Sequence, residues 1–145
     1  MKGLSETISD YPVVSHDKVR YGDTDRQGHV NNAVFSTFLE TGRVELLHTK
    51  IGDLADTGCA FVIVRLELDF ISELLWPGTV EIGTRVVKVG NSSATLEQAV
   101  FQQGRKAAAA ATVIVQMDDV SRKARPLSHD ARERLMSLVR PAEIA

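Results

Sequence analysis

Cysteine is almost absent. Cys59 is the only one in 145 residues, which excludes an intramolecular disulfide and a cysteine-based zinc site. The four prolines are scattered, so no Pro-rich linker divides the chain. Long apolar runs are missing too. The longest, 107–115, already includes a threonine and falls far short of the roughly 20 residues that a membrane-crossing helix needs. Neither charge dominates: 17 basic against 19 acidic residues give a net charge of -2. Nothing in that balance calls for a nucleic acid or an anionic membrane as partner. The N-terminal MKGLSETISDYP is polar and has no apolar segment of the kind a secretory signal carries, so a reducing, cytoplasmic location is expected. GxSxG, P-loop and GxGxxG motifs are absent, which leaves serine-hydrolase, nucleotidase and dinucleotide-binding functions without support. There is no internal repeat.

What is present is the composition of an ordinary globular protein, 43% hydrophobic and 25% charged, long enough to bury its own core without a staple. One domain spanning 1–145 is expected. Residues 13–21 carry β-branched side chains and end in a Gly/Asp cluster, a strand leading into a loop. Phe35, Phe38, Leu39, Gly42 and Leu46 recur at helical spacing and define one apolar face. Asn31 and Asn32 supply capping chemistry before it, and Gly52 lies beyond its end. Gly42 inside that face costs on the order of 1 kcal/mol of helix propensity, which implies a close backbone approach to a sheet.

Residues 59–70 open as an apolar run and then alternate, with Leu66, Leu68 and Phe70 on one side and Arg65, Glu67 and Asp69 on the other. This predicts a long strand, buried at its start and half-exposed later. Trp76-Pro77-Gly78 reads as a turn, 79–89 and 93–103 as a hairpin around Gly90-Asn91, and 104–105 as a second turn. The alanine tract 107–111 runs into Thr112-Val113-Ile114-Val115, so it is read as a strand against which something packs closely. Ser128 caps a short final helix with Ala131, Leu135, Leu138 and Val139 along its stripe. Strand, long helix, four consecutive strands in hairpins and a short helix make an α+β arrangement. The long helix buries its phenylalanine face against the concave side of a five-stranded antiparallel sheet.

The chemistry concentrates in YGDTDRQGHVNN, residues 21–32. A loop between a strand and a helix N-terminus here brings together Asp23, Asp25, His29 and unpaired helix N–H groups. Those N–H groups and the helix dipole stabilise an oxyanion. A carboxylate beside it either attacks a carbonyl or deprotonates the water that does. Asp, Gly and Asn are also ordinary turn and cap residues, and Asp23 reads as a turn residue or a partner for Arg20 or Arg26. His29 has no second histidine near it, so a metal site is not expected.

The segment VRYGDTDRQGHVNNAVFSTFLETGRVELL resembles the opening of hotdog-fold acyl-CoA thioesterases of the 4-hydroxybenzoyl-CoA thioesterase type. Every letter of their D-x-D-x-x-G-H-V-N-N loop stands between Asp23 and Asn32. The similarity continues through FVIVRLELDF, WPGTVEIGTRV and KVGNSSATLEQAVF, over most of the chain. The resemblance implies a hotdog fold, a long central helix wrapped by the sheet. It implies an acyl-CoA thioesterase in which Asp25 is the catalytic carboxylate, as nucleophile or general base. Helix-start N–H groups around Asn31 and Asn32 would hold the thioester carbonyl, and Gly28 and His29 would shape the loop or the pocket. Glu40 and Arg43 also match, and their spacing predicts a helix-surface ion pair.

Coenzyme A phosphates need basic or N–H donors. Arg122, Lys123 and Arg125, after the last strand, form a basic cluster suited to them. Relatives often place arginines at the hairpin start, where this chain has Asn91, Ser92 and Ser93, whose hydroxyl and N–H groups would contact phosphate more weakly. No cofactor and no metal is implied. The resemblance further implies a homodimer with joined sheets and a shared site, or a homotetramer of two such dimers, for which Val44 on the outer face of the helix offers further contact. The rival function is a non-catalytic acyl-CoA or acyl-carrier-protein binding module of the same fold. A hotdog dehydratase has less support, since no histidine-to-acid site lies on the central helix.

Overall fold

A computed structural model describes residues 6–50 and 52–139; residues 1–5 of the polar N-terminal segment lie outside the described residues. The strands β1 (Val13–Val19), β2 (Cys59–Phe70), β3 (Gly78–Val89), β4 (Ser93–Gln102) and β5 (Arg105–Asp118) form one antiparallel sheet in the order β1-β3-β4-β5-β2. The long helix α1 (Asn32–Glu45) extends through a wide π turn at Leu46–Lys50, and α2 (His129–Met136) closes the chain. Among the described residues no helix is long and apolar enough to cross a membrane.

Both helices start as their sequences predict. Asn31 Oδ1 accepts the Ala33 N–H at 3.0 Å, and Ser128 Oγ accepts the Ala131 N–H at 3.0 Å. Each satisfies one of the donors that a helix start leaves unpaired. Phe35, Phe38, Leu39 and Gly42 of α1 are buried, and the first three share a core cluster with Val80, Ile82, Val100 and alanines of β5. Complete burial of a side chain such as Phe38 contributes roughly 1.5–3 kcal/mol. The alanines leave room for the phenylalanine rings, which is why a helix-favouring tract lies in a strand.

The approach at Gly42 is as close as its position demands. A Cβ there would lie 2.7 Å from Ile82 Cγ2, 2.8 Å from Gln98 Nε2 and 3.0 Å from Thr84 Oγ1. Gln98 cannot easily yield, since its Nε2 donates to Leu39 O and to Thr84 Oγ1, each at 3.0 Å. Arg43 is also turned towards the sheet, with Nη1 donating to Gln98 Oε1 at 3.4 Å. The surface pair with Glu40 is therefore not what the guanidinium makes. Its burial lowers the pKa, and the Glu40 charge only partly opposes that.

Two strand assignments differ from the sequence expectation. β2 does not hairpin with β3. It pairs along β5, from Cys59↔Asp118 to Phe70↔Ala108, so the meander is confined to β3-β4-β5. Residues 71–77 are too many for a tight turn and instead cross the end of the sheet. The Ile71 and Ser72 N–H groups donate to Ala107 O at 2.9 and 3.1 Å. The apolar start of β2 is also not buried: Ile63 is 45% and Val64 59% exposed. It forms the sheet edge, and among the described residues no strand pairs with its outer side. The register shifts between Ile63 and Arg65, a bulge that keeps Phe61 and Ile63 on the same inner face as Leu66 and Leu68.

On the outer face the N-terminal segment is pinned by charge. Glu6 accepts from Arg85 Nη1 and Lys106 Nζ, both at 2.8 Å. Burial pushes the Glu6 carboxyl up, but these bonds outweigh it and hold its pKa below the ordinary value.

Gly42→Ala tests the helix-on-sheet contact. The added methyl gains about 1 kcal/mol of helix propensity but overpacks a pinned site at a cost of about 1–3 kcal/mol. The variant is expected to unfold at lower temperature and lower urea concentration. A rise in stability would mean that the sheet does not constrain α1 there.

Candidate active site

The loop between β1 and α1 is folded by its own short-range bonds. Tyr21–Asp23 forms a single 3-10 turn. Thr24 and Val30 then form an antiparallel bridge, so 24–30 is a miniature hairpin with Arg26, Gln27 and Gly28 at its tip. Asp25 closes it: its N–H donates to His29 O at 2.8 Å and its carbonyl accepts from Gly28 N–H at 3.1 Å. Asp25 Oδ1 accepts from the N–H groups of Gln27 at 2.8 Å and His29 at 3.3 Å. Gly28 adopts φ +81, a conformation that disfavours any residue with a Cβ.

Asp25 Oδ2 accepts no hydrogen bond among the described residues, and the residue is exposed. One oxygen thus fixes the carboxylate while the other is open to a reactant. The neighbouring helix start has a matching donor. Asn31 N–H is used by Asp23 O at 2.8 Å and Ala33 N–H by the Asn31 cap. Asn32 N–H has no acceptor among the described residues.

Asp23 has a different surrounding. It is buried, accepts the Arg20 N–H at 2.8 Å and pairs with Arg20 Nη2 at 2.8 Å. The Arg20 guanidinium beside it holds its carboxyl below the usual carboxylate range. Both of its oxygens are engaged, so it braces the loop.

Several residues at this end have no local sequence signal. Glu73 Oε2 lies 2.9 Å from His29 Nε2 and orients the imidazole. Leu74 O accepts the Val30 N–H at 2.9 Å, and His29 and Leu75 form a second antiparallel bridge. Trp76 packs edge-on against Tyr21 at 5.1 Å, as Phe70 does against Phe35. Glu73, Leu74 and Leu75 are placed by segment 71–77, of which the sequence signals only the Trp76-Pro77-Gly78 turn.

The predicted site residues therefore separate into two groups. Asp25, Gly28, His29, Asn31 and Asn32 meet at the end of the sheet where β3 begins. Asn91, Ser92, Ser93, Arg122, Lys123 and Arg125 lie at the other end. There, Leu127 N–H donates to Asn91 O at 2.9 Å and Gln116 N–H to Ser92 O at 2.8 Å, so the hairpin tip adjoins the basic turn. Asp118 shapes that turn by accepting from the N–H groups of Ser121 and Val120, each at 2.9 Å, bonds that keep its pKa low. Arg125 pairs with Asp118 at 3.2 Å, while Arg122 and Lys123 are exposed and make no ion pair among the described residues. The 12 residues of β3, at about 3.3 Å each, put roughly 35–40 Å between the groups.

Phe35 and Phe38 fill the core. Phe61 instead lines a cleft of about 360 Å³ at the start of β2, together with His48, Asp53, Asp56 and Cys59.

A long helix laid across a curved antiparallel sheet, with strand order β1-β3-β4-β5-β2, is the hotdog architecture. Solved structures share it over almost their full length. The PA5185 protein of Pseudomonas aeruginosa superposes with a TM-score of 0.84 at 28% identity, covering 94% of this chain and 98% of that one. A Thermus thermophilus thioesterase, complexed with coenzyme A and Zn, does so with a TM-score of 0.78 at 34% identity, covering 90% and 97%. The DHNA-CoA thioesterase of Staphylococcus aureus, at 19% identity and a TM-score of 0.75, covering 87% and 91%, shows the fold. Curated protein sequences give no match. The model of the thioesterase-like superfamily matches residues 19–135, and the chain belongs to that family. Its class is thioester hydrolase in the broad sense.

The contrast between the two aspartates is testable through stability. The folded pKa of Asp23 lies below its ordinary value of 3.8, so the contribution is complete above that value and is lost as pH falls through the folded one. Asp23→Asn should therefore unfold more easily than wild type at neutral pH, and the gap should close in acid. A gap independent of pH would mean that the Arg20 pairing is not its source.

Proposed function

We propose that the protein is an acyl-CoA thioesterase in which Asp25 is the catalytic carboxylate and the start of α1 is the oxyanion site. The observation that carries this reading is the division of labour at Asp25, with Oδ1 held by two N–H groups and Oδ2 unengaged. As a general base, Oδ2 takes a proton from a water whose oxygen adds to the thioester carbonyl carbon. As a nucleophile, it adds directly and forms an anhydride that water then hydrolyses. On either path the carbonyl oxygen gains negative charge, which the Asn32 N–H and the helix dipole favour. Collapse breaks the C–S bond, and the departing thiolate of coenzyme A takes up a proton. A module that only binds thioesters has no need of a carboxylate so placed.

Coenzyme A as the leaving group draws support from the Thermus thermophilus neighbour, which is complexed with it. It also requires the two groups of site residues to meet, and the edge of β2 provides the means. A long strand with Ile63, Val64 and Phe70 exposed is a template for another strand. Pairing it antiparallel with its own copy about a two-fold axis sets the Cys59 end of one subunit beside the Phe70 end of the other. The basic turn, the 90–93 hairpin tip and the Phe61 cleft of one subunit then face the Asp25 loop of its partner. The active unit is thus a homodimer with two composite sites.

Asp25→Asn keeps volume and removes the base and the charge. It is expected to lose at least about two orders of magnitude in turnover, the range that general acid–base catalysis contributes, with thiol release from acyl-CoA as the assay. Near-normal turnover in a folded variant would overturn the assignment. Neutralising Arg122, Lys123 and Arg125 together should raise KM for acyl-CoA with little change in kcat, because the binding lost is uniform. The effect should weaken as salt screens these exposed charges. Mixing the two variants should regenerate activity, since half of the sites in a heterodimer recover both an intact Asp25 and an intact basic turn. A mixture no more active than its components would rule out the shared site.

A further inference from the structure

Segment 71–77 supports the Asp25 hairpin from the side; its start is held by Ala107 and its Leu75 end by one buried side chain, Gln102. Segment 71–77 bonds to the hairpin through Leu74 O and Val30 N–H at 2.9 Å and through the His29–Leu75 bridge. On its other side the segment meets Gln102, at the end of β4, which is 6% exposed. Gln102 Oε1 accepts the Leu75 N–H at 3.0 Å, and Gln102 Nε2 donates to Leu75 O at 2.9 Å. The side-chain amide thus reproduces a rung of a β-ladder, in line with Thr24–Val30 and His29–Leu75. Gly78 makes the approach possible, since a Cβ there would lie 2.8 Å from Gln102 Nε2.

We propose that Gln102 is a positioning residue for the reaction: it sets Asp25 through Leu75 and the His29–Val30 backbone without itself reaching the substrate. The proposal rests on the reading of Asp25 as the reactive carboxylate. The coupling is short. Leu75 is the residue that bridges His29, and the N–H and C=O of His29 are both bonded to Asp25. Loss of the rung frees the Leu75 end of the segment, and the hairpin bridged to it shifts with it. Displacements of about 1 Å at a reacting group can cost on the order of a hundredfold in rate.

The test uses the full chain with benzoyl-CoA and decanoyl-CoA as probes. Gln102→Leu keeps the bulk and removes both bonds. It is expected to lower kcat about tenfold or more with KM changed less than about twofold, the pattern of lost transition-state alignment. Gln102→Glu adds a signature that a purely structural role would not give. A protonated carboxyl restores both bonds to Leu75, whereas a carboxylate repels the Leu75 carbonyl, and burial favours the protonated form. The ratio of its kcat to that of wild type should therefore rise as pH falls from about 8 to about 5.5. This variant also decides the matter if Gln102→Leu does not fold.

Amide hydrogen exchange supplies a readout without activity. Val30 and Leu75 should exchange faster in Gln102→Leu than in wild type, while Val100 and Ile82 in the sheet should not. A Gln102→Leu kcat within about twofold of wild type, unchanged exchange at Val30, or a flat Gln102→Glu ratio would overturn the proposal. If wild type hydrolyses neither thioester, the Asp25 reading fails on these probes, and exchange alone decides whether Gln102 holds the hairpin.

Discussion

The contact between α1 and the inner face of the sheet is the constraint on which the rest of the molecule depends. Gly42 sits against Ile82, Thr84 and Gln98 with no space for a methyl group, and Phe35 and Phe38 fill the cavity between helix and strands. With that interface fixed, the helix can slide neither along nor about its axis. Its N-terminus then projects at one end of the sheet, where Asn31 caps it and the Asn32 N–H has no acceptor among the described residues. The direction in which the helix start points is thus set by packing more than by anything in the loop itself.

The loop adds local precision of a different kind. Asp23 and Asp25 stand two residues apart and have opposite environments. One is buried with both oxygens held by Arg20, and the other is exposed with a single oxygen held by backbone donors. Burial and a cation make the first a brace. Exposure and partial satisfaction leave the second with an oxygen open to solvent, the basis on which it is proposed as the reactive carboxylate. Segment 71–77 joins the two scales, bound on one side to the sheet through Ala107 and Gln102 and on the other to the hairpin through Val30 and His29.

Buried glutamines recur as the ties between elements. Gln98 holds the carbonyl of Leu39 in α1, and Gln102 holds Leu75. Gln116 accepts the Asp56 N–H at 2.9 Å and donates to Pro126 O at 3.0 Å. Each amide presents a donor and an acceptor on one plane, as a peptide group does. It can therefore pair with the backbone of an irregular segment where a regular strand could not continue. Such ties satisfy polar groups that would otherwise be costly to bury.

Period and cap chemistry are local, so the sequence by itself determined the helix face, its Asn31 cap, the β3-β4-β5 meander, the Ser128 cap and the Asp23–Asn32 loop. Apolar character could not say whether β2 lies in the centre or at the edge, because an uncovered strand and a buried one carry the same residues when something outside the chain completes the burial. Strand order, the partners of Glu73 and Gln102, the inward turn of Arg43 and the two-ended distribution of the candidate site residues were decided only by tertiary structure. Each depends on residues far apart in the chain, which only the folded topology brings within hydrogen-bonding distance.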